Sequence, residues 1–322
     1  MKKHLKYLAV DIFLITIACL LLVFTFSCKK KQTEPAETGT ISYASMQDFY
    51  NQNGVPKQTF TINAVNGGTF VSAKGTTVNI PANAFKDSAG NLISGIINFE
   101  FKDIYKKSDM VLSDKATNCD IGAMKSAGEF YLNGTYKNIL FASTKTITVT
   151  QPSNQPYDAN MEALIIIRSD TAQFVMWNAP CGSFTCGASI AYYAPNYLYY
   201  IHSGTFSSGP ITPRWFNTDN PYAFSAYSQT TLSIINPDAS FETDVFIIFK
   251  TINSVLQIYN SNGYSYSYAP IGLQATIVAA GIKDGKLQTS IIPITISPNQ
   301  SVTLNYKYMS TDDFVTALKA LD

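Results

Sequence analysis

Ile97-Asn98-Phe99-Glu100-Phe101-Lys102 alternates apolar and polar side chains without a break. Successive side chains of an extended chain point to opposite faces, so Ile97, Phe99 and Phe101 are expected on a core and Asn98, Glu100 and Lys102 in water. An antiparallel sheet with one wet face has this pattern. Outward from this stretch, Asn66-Gly67-Gly68, Asp87-Ser88-Ala89-Gly90-Asn91, Asn133-Gly134, Asn262-Gly263 and Asp284-Gly285 supply residues that tolerate positive φ where hairpins turn. Apart from a short helix expected at residues 45–51, no convincing helical period precedes the C-terminal end, which argues against folds built on strand–helix–strand crossovers. The expected class is all-β: tandem β-sandwich domains with a short C-terminal helix.

Composition agrees. The chain has 322 residues, 14% of them charged, with 20 Tyr and 20 Phe, a balance suited to many short strands. From residue 230 onward seven strand-like runs follow, at 230–235, 244–250, 255–259, 263–268, 274–281, 287–296 and 302–308, as in an immunoglobulin-like sandwich. Ser310-Thr311-Asp312-Asp313 then reads as an N-cap and acidic first turn, with Phe314, Leu318 and Leu321 on one helical face. Upstream, the apolar run at 163–167 reads as a buried strand, with Phe174-Val175-Met176-Trp177 as its hairpin partner.

The chain opens with a basic segment and an apolar run at 8–26, then Thr25-Phe26-Ser27-Cys28 and Lys29-Lys30-Lys31, the layout of a signal peptide ending at a cysteine. Ser27-Cys28 resembles the lipobox of bacterial lipoproteins, which implies cleavage after residue 27 and acylation of Cys28. An uncleaved single-pass helix is the competing reading. More than one acyl chain anchors durably, and polar residues 29–38 read as a tether. With Lys2, Lys3, Lys6 and Asp11 in the leader, the mature chain keeps 20 basic against 21 acidic residues, so no basic field remains for nucleic acid.

Gly67-Gly68-Thr69-Phe70 followed by Val78-Asn79-Ile80-Pro81-Ala82-Asn83-Ala84-Phe85 resembles the β-sandwich first recognised in zonula occludens proteins, netrin receptors and ankyrins. Lys107-Ser108-Asp109-Met110-Val111-Leu112, Ser126-Ala127-Gly128-Glu129-Phe130 and the Trp215-x-Asn217-x-Asp219 stretch make the chain look like uncharacterised Bacteroidetes lipoproteins carrying such a domain. The resemblance implies an outer-membrane lipid anchor, with the membrane face open. The expected division is a signal peptide at 1–27, a lipidated tether and short helix at 28–58, this β-sandwich at 59–150, an irregular β region at 151–229, and an immunoglobulin-like sandwich with its helix at 230–322.

Chemistry-bearing residues are sparse. The only histidines are His4 and His202, which removes the usual acid/base residue almost entirely. His202 precedes Ser203, but strand neighbours point apart, so that pair makes no nucleophile and base. Cys181 and Cys186, with four residues between them in an exported chain, are expected to form a disulfide, leaving Cys119 as a buried thiol. Carboxylates at Glu100, Asp103, Asp109, Asp114, Asp120, Glu129, Asp219, Asp238, Glu242 and Asp244 show no metal-loop spacing, and no cofactor or metal is expected. Tyr264, Tyr266 and Tyr268 alternate with serines; they read either as a stacking platform for sugar rings or as strand-pairing aromatics. The expected function is a non-catalytic, lipid-anchored envelope lipoprotein whose sandwiches meet a protein or glycan partner. Glycan capture by the tyrosine stripe and a polymer hydrolase are the alternatives.

Overall fold

The computed structural model describes residues 42–119, 122–152, 155–167, 176–177, 188–203, 207–208, 214–259 and 263–322, and Ser42–Asp322 form one compact unit. Cys28, Cys181 and Cys186 lie outside the described residues, so neither the acylation nor the disulfide has a structural account. Strands dominate, as expected of an all-β chain. Among the described residues no helix is long and apolar enough to cross a membrane.

Along Ile96–Ile104 the alternation reads directly as burial: Ile97, Phe99 and Phe101 are buried and Asn98 is exposed. The strand lies second in an antiparallel sheet ordered Gln58–Asn63, Ile96–Ile104, Lys125–Thr135, Arg214–Asn220, Glu162–Ile167. Ala188–Tyr193, Asn196–Ile201, Ile147–Pro152, Thr77–Ile80 and Gly68–Val71 form a second sheet, and residues of both sheets share one core. Phe130 stacks on Phe216 with centroids 4.9 Å apart, and Tyr199 of the second sheet meets Phe130 edge-on at 5.3 Å. The Tyr199 hydroxyl donates to Leu164 O at 2.9 Å, the partner that an enclosed phenol needs.

Strands from the region expected to be irregular therefore complete both sheets of this sandwich. One expectation fails there. The strand Glu162–Ile167 pairs with Arg214–Asn220, whereas Met176–Trp177 pairs in parallel with Asn118–Cys119. The Trp177 indole is fully buried in a different core layer, so long-range burial rather than a local turn chooses its neighbour.

In the second sandwich, the strand Thr243–Phe249 carries an unbroken apolar run because it is covered on both faces. Val245, Ile247 and Phe249 enter this sandwich's own core, while Phe246 and Ile248 enter a layer shared with the first. Its sheet runs Val255–Ile258, Thr243–Phe249, Gln274–Lys283, Lys286–Thr295, Lys307–Tyr308. A three-stranded sheet of Tyr264–Pro270, Gln229–Ile235 and Ser301–Thr303 shares its core.

The shared layer joins the two sandwiches. Tyr131 and Trp215 come from the first, Phe246 and Ile248 from the second, and three short helices fill the space between. Helix Met46–Asn53 is capped by Ser45, whose Oγ accepts from Asp48 N at 3.1 Å, and contributes Phe49 and Tyr50. Helix Thr311–Lys319 is capped by Ser310 and contributes Phe314 and Leu318. Helix Lys107–Leu112 has six residues, five of them buried, so it has no polar face to give a helical period in sequence.

Candidate functional site

A cleft of about 820 Å³ opens beside the N-terminal helix, lined by Tyr50, Asp114, Glu242, Asp244, Gln257 and Tyr259 among others. Tyr50 comes from that helix and Asp114 from the turn after Lys107–Leu112, where its φ is 52°, a left-handed conformation that Asp tolerates better than most side chains. Asp244 and Gln257 stand on paired strands of the second sandwich.

The polar groups of the cleft hold one another. The Tyr50 hydroxyl donates to Asp244 Oδ2 at 2.7 Å, and Tyr259 donates to Gln257 Oε1 at 2.7 Å. Burial raises the Asp244 carboxyl above its usual range; the Tyr50 hydrogen bond opposes this and the charge of Glu242 adds to it. The Tyr50 phenol is driven far up by burial, then by the charges of Asp244 and Asp114. No basic residue, histidine or cysteine lines the cleft among the described residues. Among those residues no three His, Cys, Asp or Glu side chains gather closely enough to hold a metal ion. Acceptor oxygens on an aromatic wall suit a ligand that brings donors or positive charge.

A second convergence is sealed from solvent. On the strand Arg214–Asn220, alternation puts Trp215, Asn217 and Asp219 on one face. Asn217 pairs with Glu129 across the sheet and Trp215 with Tyr131. A register shift between Thr218 and Asp219 then places Ser126 opposite Asp219. Gly128 sits in this bulge at φ 131°, a conformation open to glycine. Burial drives the Glu129 carboxyl far above its usual range, Asp219 adding to the effect and Lys115 opposing it, while burial pushes Asp219 up to about 8.

The tyrosine stripe divides. Tyr264 is buried and donates to Thr243 O at 2.8 Å. Tyr266 is half-buried; its hydroxyl accepts from Ala123 N at 3.1 Å, and burial pushes its phenol up to about 12. Tyr268 is 51% exposed. An irregularity in the pairing places Leu232 opposite Tyr266 but Thr230 opposite Ala269, so Ala269 takes the next inward position. The tyrosines of the hairpin formed by Ala188–Tyr193 and Asn196–Ile201 also divide: Tyr197 and Tyr199 are buried and Tyr193 is exposed. His202 Nε2 lies 3.0 Å from Ser189 Oγ across the hairpin, and Cys119 is buried.

Of the scattered carboxylates, the structure brings Asp114, Glu242 and Asp244 to one cleft and Glu129 and Asp219 to one buried site. Tyr50 had no sequence signal at all, because its partner Asp244 is 194 residues away. Compared with protein families and with curated proteins, the chain matches none.

Proposed function

We propose that the protein is a non-catalytic, lipid-anchored envelope lipoprotein whose joined sandwiches present the acidic, aromatic cleft to a partner carrying basic side chains. The observation that carries this reading is the cleft itself, with Asp114, Glu242 and Asp244 on a wall that has no basic residue among the described ones. Its tyrosine hydroxyls are spent on internal acceptors, and among the described residues no histidine lines it to activate a nucleophile. Cys28 precedes the compact unit that begins at Ser42.

Two measurements test the two halves of this reading. An alkyne fatty acid fed to cells should label the wild type and not Cys28→Ala; an unlabelled wild type overturns the anchor. A lysine decapeptide titrated into the full chain in detergent should bind, more weakly with salt and more weakly in Glu242→Gln. A silent titration overturns the basic partner.

The second reading is a polymer hydrolase. It is favoured by Glu242 and Asp244 sharing the cleft, with Asp244 raised by burial as a proton donor would be. Polysaccharide cleavage that disappears in Asp244→Asn would put catalysis in place of binding. Glycan capture by the stripe draws on Tyr268 and the half-buried Tyr266, since Tyr264 is buried.

A further inference from the structure

Glu129 and Asp219 lie outside the cleft and take no part in the reading above. Glu129 is 1% exposed, and neither of its carboxylate oxygens has a hydrogen-bond partner. Asp219 is 0% exposed; its Oδ2 accepts from Asn217 Nδ2 at 2.6 Å and its Oδ1 has no partner. The indole Nε1 atoms of Trp177 and Trp215, in the same layer, are likewise without acceptors. Buried polar atoms left open in this way call for a proton, a water or an ion to satisfy them.

The charges around the pair decide among these. From the turn before Ala116 comes Lys115, itself buried, with Nζ 5.4 Å from the Trp215 ring centroid and donating to Ser113 O and Asp114 O. Its charge acts on Glu129. On the neighbouring strands, Glu162 stands opposite Asp219, Lys102 opposite Tyr131, and Arg214 begins the strand that carries Asp219. Lys125 pairs with Asp158 at 3.0 Å, and Lys107 of the short helix donates to Phe249 O and Lys250 O. Tyr43, Tyr50, Tyr131 and Cys119 are the titratable groups of the layer's cluster among the described residues. One ammonium at Glu129 offsets one carboxylate, and a second charged carboxylate in a sealed layer is too costly to keep. A proton neutralises it without needing space.

We propose that Glu129 and Asp219 retain a shared proton that locks the layer between the two sandwiches, and that removing this proton at alkaline pH loosens the joint. The pair holds this proton in the folded chain above the range, about 4, where an unfolded chain releases it. The folded state therefore binds more protons than the unfolded state, and the folding constant falls about tenfold per pH unit for each proton retained. For Asp219 this fall runs from about pH 4 up to its folded value near 8. Above that the folded chain itself gives up the proton, and charge enters the layer.

The chain's 2 tryptophans are Trp177 and Trp215, so indole fluorescence reports this layer alone. In the full chain in detergent, the emission of the wild type should change in one transition near pH 8, the value set by Asp219. Amide exchange of Phe246 and Ile248 should accelerate over the same transition while that of Phe99 and Phe130 stays slow. Asp219→Asn and Glu129→Gln, similar in shape and unable to titrate, should abolish the transition. A wild type with flat emission through this range, or exchange that accelerates throughout the chain at once, overturns the proposal, and both are read on the wild type even if the variants fail to fold. A transition that persists in folded variants overturns it as well.

Discussion

The Tyr50 hydroxyl donates a 2.7 Å hydrogen bond to Asp244 Oδ2, tying the N-terminal helix to a strand of the second sandwich. In Tyr50→Phe the half-buried carboxyl loses a donor that holds its pKa down, so Asp244 should titrate at higher pH, as followed by its carboxyl carbon resonance. Urea unfolding should show a loss of about 0.5–1.5 kcal/mol, the usual net contribution of one hydrogen bond.

Phe130 stacks on Phe101 and Phe216 and receives the edge of Tyr199. Truncation of a fully buried ring costs about 3–5 kcal/mol, so Phe130→Ala should lower the urea midpoint far more than any surface change. The control is Val71→Ala, at a side chain 56% exposed, which should stay within about 0.5 kcal/mol of the wild type.

Two glycines separate backbone strain from steric exclusion. At Gly128, with φ 131°, an added Cβ would run into the Tyr105 ring; at Gly90, with φ 86°, it would meet nothing within 4 Å. Gly90→Ala should therefore cost only the strain, about 1 kcal/mol. Gly128→Ala should cost clearly more and disturb the bulge, visible as altered exchange at Asp219.

Ser310 Oγ accepts from Asp313 N at 3.2 Å. Ser310→Ala removes this cap and should cost about 0.5–2 kcal/mol, with faster amide exchange in the first turn of Thr311–Lys319. Because Phe314 and Leu318 remain buried in the joining layer, the helix should fray at its start rather than detach.

Much of the strand architecture was legible. The alternation in Ile96–Ile104, the run inside Thr243–Phe249 and the capped helix Thr311–Lys319 each carry their signal within a few residues. Helix Lys107–Leu112 was not legible, since it is buried nearly all round. The partner of Glu162–Ile167 was misread because strands of other sheets, Ala188–Tyr193 and Asn196–Ile201 among them, intervene in the chain before its true partner Arg214–Asn220, and the apolar run is compatible with any strand that covers it. At the candidate site, Asp114, Glu242 and Asp244 were visible only as scattered carboxylates, and nothing in their spacing announced a common cleft.

The division has a physical origin. Whether a short window is extended, turned or helical depends on side-chain periodicity and on residues such as Gly90 or Ser310 that accept a particular backbone shape, and these act over a few positions. Which faces meet depends on burying apolar area wherever it can be covered, a force without direction or memory of chain distance. Strand register set Trp215 against Tyr131, and the docking of the N-terminal helix brought Tyr50 to Asp244. Packing also sealed Glu129 and Asp219 between two sandwiches, where two ordinary acids acquire unusual proton affinity.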